Sequence, residues 1–151
     1  KLLSSGNTKA IFQVESGGFQ KFLKELKPTS IEDITAGVSL YRPGPMDSIP
    51  RYVHNKHNPQ DVVYDHPILE PILNVTYGCI VYQEQVMRIV QDMAGYTLGQ
   101  ADMVRRMMGK KKLEAMQKEK SVFLFGKPAE NGKPAKYIGN NHCCFITYTT
   151  C

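Results

Sequence analysis

Apolar residues return along this chain with the period of a helix, and chemistry that starts or stops helices interrupts them repeatedly. Phe19, Phe22, Leu23 and Leu26 follow the i, i+3, i+4, i+7 pattern that lines one helical face, while Lys21, Lys24 and Glu25 fall elsewhere. Ser16 stands before this stretch as a cap, and Pro28 closes it. Thr29-Ser30-Ile31-Glu32 has the form of a capping box, with Glu32 three residues after Thr29, and predicts a helix to about Leu40. Val86, Ile89, Val90, Met93 and Ala94 form a second stripe that Gly95 ends. Thr97-Leu98-Gly99-Gln100 repeats the capping-box pattern and predicts a helix to about Met108, with Gly109 as its stop. Leu113, Met116 and Gln117 extend the pattern towards Phe125. The methionines of these stretches read as packing residues. Such a chain is mainly α, an α-rich α+β fold with a few short strands.

The strand expectation comes from Ile11 to Val14, which reads as extended, with a short apolar run at Gly78 to Val81. Tyr41-Arg42-Pro43-Gly44-Pro45 predicts a stiff loop, because Pro43 disfavours helical geometry at Arg42 and Gly44 permits an unusual backbone angle. Residues 46 to 66 read as irregular and polar. Their His54, His57 and His66 do not have metal-motif spacing and read as surface residues. Pro67 fits the first turn of a short helix to about Leu73. After Phe125 the character changes. Gly, Pro, Asn and Lys dominate to Asn141, and the end, with Cys143, Cys144 and Cys151, is β-prone and uncharged. With Cys79 these are four cysteines, in neither a disulfide-framework nor a zinc-site spacing. The reading divides the chain into residues 1–125 and a tail, 126–151, of irregular or short β character.

At 151 residues the chain suits one domain. It has neither a membrane-length apolar run nor a signal-peptide start, which predicts a soluble, cytoplasmic protein without a membrane partner. It begins with Lys1 rather than Met, which predicts a piece of something longer. The net charge of +5 is uneven. Residues 105 to 136 hold ten bases against three acids, a local +7 that leaves −2 for everything else. A mildly acidic body with one basic segment fits a polyanionic partner, and it equally fits a solvated helix face followed by a Lys-rich tail. Arg105, Arg106, Lys110, Lys111 and Lys112 place five bases in eight positions. Guanidinium groups match phosphate oxygens in bidentate geometry and lysines add point charge, so a triphosphate or a nucleic-acid backbone is the natural ligand. Asp102 stands three and four residues before the two arginines, so one of them can instead pair with it.

TYGCIVYQEQVM followed by AGYTLGQADMVRRMMGKKK resembles the fingers region of the C family of DNA polymerases, the bacterial replicative DNA polymerase III alpha subunits. LLSSGNTKAIFQVES, LKPTSIEDI and SLYRPGPM occur upstream in the family's order, so the resemblance runs from about Leu2 to about Phe125. It implies a DNA-directed DNA polymerase, a nucleotidyltransferase of DNA replication, as parent. In such an enzyme the primer 3′-hydroxyl attacks the α-phosphate of a deoxynucleoside triphosphate. Mg2+ would be held by palm aspartates, which lie outside this sequence. No cofactor and no metal site are expected within the sequence, and the piece alone is expected to be inactive. The resemblance implies that Arg105 and Arg106 bind the incoming triphosphate. Lys110, Lys111 and Lys112 become candidates for phosphate or DNA-backbone contact, and Tyr41 and Arg42 for shaping the pocket, or for a purely structural turn. Implied partners are template-primer DNA, deoxynucleoside triphosphates, the rest of the polymerase chain, and replisome subunits such as the sliding clamp. The alternatives are a stand-alone basic nucleic-acid-binding module and an interaction piece that meets an acidic protein.

Overall fold

The computed structural model describes residues 2–110 and 113–125, with the side chains of 124 and 125 excepted. Among these residues there are seven α-helices and no strand: α1 (Gly17–Leu26), α2 (Ile31–Leu40), α3 (Ile49–His57), α4 (Glu70–Leu73), α5 (Gln83–Ala94), α6 (Leu98–Gly109) and α7 (Leu113–Phe125). The expected short strands are therefore corrected. Ala10 and Gln13 take left-handed backbone angles, φ 63° and 66°, so residues 8–14 coil into successive turns, and the Thr8 hydroxyl donates to the Val14 carbonyl. Gly78 to Val81 is irregular, with Gly78 at φ 77°. The β-prone tail lies outside the described residues. No helix among those described is long and apolar enough to cross a membrane.

The chain forms two compact units. The first comprises residues up to Val63 together with Val75–Val81, and it holds α1, α2 and α3. Ser16 caps α1 by accepting from the Phe19 N–H at 3.3 Å, and the expected stripe of Phe19, Phe22, Leu23 and Leu26 is buried. The α2 cap sits one residue later than expected. Ser30, not Thr29, accepts from the Asp33 N–H, and the carboxylate that closes the box is Asp33 rather than Glu32. Asp33 is 1 % exposed and gathers the unit's main polar network. Its Oδ2 accepts from the Thr29 N–H at 2.8 Å, the Thr29 hydroxyl at 3.1 Å and the Ser30 N–H at 3.2 Å, and pairs with Lys56 Nζ at 3.1 Å. Its Oδ1 accepts from the Tyr77 hydroxyl at 3.2 Å. Burial alone would raise the Asp33 pKa, but the Thr29 and Ser30 N–H groups and Lys56 outweigh it and hold the carboxyl below its ordinary 3.8.

Residues 46 to 66, expected to be irregular, contain α3. It brings Lys56 to Asp33, buries Tyr52 edge-on against Tyr77, and lets the Asn55 amide donate to the Tyr77 carbonyl at 2.7 Å. The histidines have local partners. His57 lies 2.8 Å from the Glu25 carbonyl, His54 3.1 Å from Asp61, and His66, in the second unit, accepts from the Ile68 N–H at 3.1 Å.

The second unit comprises Tyr64–Asn74 and the described residues from Tyr82 onward, and holds α4 to α7. Leu69, Ile72, Leu73, Val86, Ile89, Val90, Met93, Ala101 and Val104 form its core. Gly95 ends α5 in the left-handed region at φ 68°, and the Thr97 hydroxyl caps α6 by accepting from the Gln100 N–H at 3.4 Å. Gln85 is buried and satisfied at both ends. It accepts from the Tyr82 N–H at 2.9 Å and donates to the Ile72 carbonyl at 3.2 Å, which ties α5 to α4. Between α5 and α6, Tyr96 reaches α7, where its hydroxyl donates to Glu119 at 2.7 Å and its ring meets Phe123 edge-on. Burial, and then Glu119, raise the Tyr96 pKa, so its hydroxyl stays a donor.

Candidate phosphate-binding site

The site is built on the solvent side of α6, because Ala101 and Val104 commit the opposite side to the core. Three and four residues are the spacings at which helical side chains meet. Asp102 therefore reaches both arginines, where the spacing required only one. Arg105 donates to Asp102 Oδ1 through Nε at 2.9 Å and Nη2 at 2.8 Å, and Arg106 donates to Oδ2 through Nε at 2.7 Å. Arg105 Nη1 also donates to Gln83 Oε1 at 2.9 Å, across from the first residue of α5. The Arg105 hydrogen bond, then the nearby Arg106 and Arg105 charges, hold the Asp102 carboxyl below its ordinary 3.8 against a smaller opposing effect of burial. It therefore remains ionised at neutral pH.

One carboxylate thus fixes two guanidiniums side by side, and the trio keeps a net charge of +1. The two arginines differ in availability. The Arg105 side chain is 32 % exposed and held from two helices, whereas that of Arg106 is 68 % exposed and held through Nε. Pre-organised guanidiniums lose less freedom when they take up a phosphate than long side chains searching from solvent. Lys110 follows as the exposed cap of α6, and Lys111 and Lys112 lie outside the described residues.

Tyr41 and Arg42 belong to the first unit. The Tyr41 ring packs edge-on to Phe19, with centroids 4.9 Å apart, and stacks near Phe22 at 6.0 Å. Its hydroxyl occupies the space that a Cβ on Gly18 would need. Arg42 is exposed, and Gly44, at φ 112°, takes a backbone angle reserved for glycine. Sequence reasoning missed Gln83 as a partner of Arg105. The two are 22 residues apart, and only the packing of α5 against α6 joins them. Among the described residues no cluster of His, Cys, Asp and Glu suits a metal ion. Cys79 is buried and its thiol pKa is pushed up, chiefly by desolvation.

A family model described as the bacterial DNA polymerase III alpha subunit finger domain matches residues 1–131. Among curated proteins, the chain is 52% identical over 125 residues to a DNA polymerase III subunit alpha of Halalkalibacterium halodurans, covering 83% of this chain and 11% of that protein. It is also 52% identical over 125 residues to the corresponding Staphylococcus epidermidis subunit, covering 83% and 12%. It is 50% identical over 131 residues to that of Chlamydia trachomatis serovar D, covering 87% and 10%. The chain thus spans about a tenth of the length of the curated relatives it matches.

Proposed function

The chain belongs to the bacterial DNA polymerase III alpha subunit finger-domain family, and we propose on that footing that it handles the incoming deoxynucleoside triphosphate within a DNA-directed DNA polymerase. The parent, a nucleotidyltransferase acting in the cytoplasm, extends a primer along template DNA. Mg2+ and the carboxylates that bind it belong to the palm of that parent, so the chain alone does not polymerise. Its proposed partners are template-primer DNA, deoxynucleoside triphosphates, the rest of the polymerase chain and replisome subunits such as the sliding clamp.

The observation that carries this reading is the pairing of Arg105 and Arg106 on Asp102, with Gln83 steadying Arg105. Fixed cations beside the β- and γ-phosphates offset the negative charge that develops on departing pyrophosphate, and they do so without reorganising during the step. Arg106, the more exposed, makes the larger share of direct phosphate contact, and Arg105 supports it. Lys110, Lys111 and Lys112 add charge for the phosphates or the DNA backbone. Arg42, exposed on its stiff loop, is proposed together with Tyr41 to shape the nucleotide or template pocket of the parent enzyme. The Tyr41 ring is committed to Phe19 and Phe22 and anchors that loop.

Calorimetric titration of the chain with tripolyphosphate tests the reading. Binding is expected for the native sequence and is expected to be lost in the Arg105→Ala, Arg106→Ala double variant. Equal affinity in both would remove the arginines from the site.

A further inference from the structure

Helix α7 rests on the second unit without sinking into it. Among its described side chains none is fully buried, whereas α5 buries Gln85, Val86, Ile89, Val90 and Met93. Ala115, Met116, Glu119, Lys120, Val122 and Phe123 are half-buried. They recur every three or four residues, so one side of the helix lies along its neighbour while its edges stay in water. Side chains left half in water gain correspondingly little from burial. With 13 residues, α7 also has a length at which an isolated helix is marginal. Ser121, Val122 and Phe123 follow one another with only modest helix propensity. Helical order in α7 therefore depends on its docking.

Tyr96 is the docking point. The Gly95 N–H donates to the Gln91 carbonyl at 2.9 Å and the Tyr96 N–H to the Val90 carbonyl at 3.3 Å, a pair of bonds that closes α5. Thr97 then opens α6, its N–H donating to Gln100 Oε1 at 2.9 Å. The Tyr96 backbone is thus fixed on both sides by helix ends that do not involve α7. Its hydroxyl donates to Glu119 at 2.7 Å, and its ring meets Phe123 with centroids 6.4 Å apart. Glu119 and Phe123 are four residues apart, about one turn, and both lie in the second half of the helix. The first half follows α6 closely in the chain, since α6 ends at Gly109 and α7 begins at Leu113. We propose that Tyr96 is the latch of a retractable tether. With Glu119 and Phe123 engaged, Leu113–Phe125 is a helix. When they let go, the segment undocks and unfolds in one step while α5 and α6 stay folded. As a helix the 13 residues span ~20 Å, and unfolded they reach at most about 43–47 Å. The device is an order–disorder switch in the position of the Phe125 end, and it stands independently of the triphosphate reading.

Hydrogen exchange of the backbone amides, followed by NMR on the whole chain, tests the proposal. In the native chain the α7 amides are expected to share one opening and to exchange about tenfold or more faster than those on the buried face of α5. Tyr96→Phe keeps the ring and removes the hydroxyl. Glu119→Ala removes the acceptor and substitutes the best helix former. Each is expected to speed exchange across α7 a further three- to tenfold, about the effect of one lost hydrogen bond. The double variant is expected to do no more than either alone, because both remove the same bond. The amides of α5 and α6 are expected to keep their native rates throughout. Faster exchange in Glu119→Ala separates the latch from simple fraying, since alanine by itself would slow fraying. Native α7 amides as protected as those of α5 would overturn the proposal. So would α7 rates unchanged in both single variants, or protection lost from α5 and α6 together with α7.

Discussion

At the scale of single residues, two carboxylates organise this chain in opposite surroundings. Asp102 is partly exposed and pairs with two arginines of α6, whereas Asp33 is buried and closes a network within its own unit. Asp33→Ala removes a helix cap and leaves Lys56 buried without its carboxylate, so a loss of about 3–5 kcal/mol is expected, read by urea unfolding. Because the folded Asp33 pKa lies below 3.8, its ionic partners contribute full stability above that ordinary value. That contribution is lost as pH falls through the lower, folded value, since the unfolded chain then binds more protons. Urea midpoints measured downward from about pH 5 are therefore expected to fall for the native chain, and to fall less steeply for Asp33→Asn. The Asp102 spacing was legible because neighbours on a helix are fixed by the sequence interval alone. Gln83 was not, because its approach to Arg105 depends on how two helices pack.

Among the elements, those with a strong apolar stripe and a cap were readable, and the failures have physical causes. The buried faces of α1 and α5 and the caps at Ser16 and Thr97 followed from residue order. α3 escaped because Ile49–His57 buries only Tyr52 and Asn55, which leaves no apolar stripe to detect. Ile11 to Val14 looked extended because its residues favour strands, yet left-handed angles at Ala10 and Gln13 fold the stretch back on itself. The α2 start moved to Ser30 because Asp33 serves both as the box carboxylate and as the partner of Lys56. Two predictions belong to this scale. Gly18→Ala forces a Cβ against the Tyr41 hydroxyl and is expected to cost about 1–3 kcal/mol, as overpacking does. Tyr41→Phe should recover much of that loss in a double-mutant cycle, and no recovery would mean that the collision is not its source. Tyr96→Phe removes the hydroxyl that donates to Glu119 and is expected to speed amide exchange across α7 while leaving α5 unchanged.

For the whole molecule, the uneven charge gains a more definite meaning. Five of the bases stand in the eight positions from Arg105 to Lys112, and Asp102 offsets only one of them among the described residues. A chain that binds DNA through such a segment releases counterions, so its affinity for primer-template DNA should fall steeply as salt rises, read by fluorescence anisotropy. A flat salt response would separate the basic segment from backbone contact. Phe12 is 86 % exposed, and Leu2, Ile31, Val63 and Leu98 are also well exposed. The α6 arginines are proposed to hold the incoming triphosphate. This role is tested most directly by nucleotide incorporation in the intact alpha subunit that carries this segment, comparing the native sequence with Arg105→Ala and Arg106→Ala. Loss of a charge-assisted phosphate contact, worth about 1.5–3 kcal/mol, predicts that kcat/KM for the deoxynucleoside triphosphate falls about ten- to a hundredfold, more for Arg106 than for Arg105, with primer-template affinity little changed. Unchanged nucleotide kinetics in both variants would contradict the account.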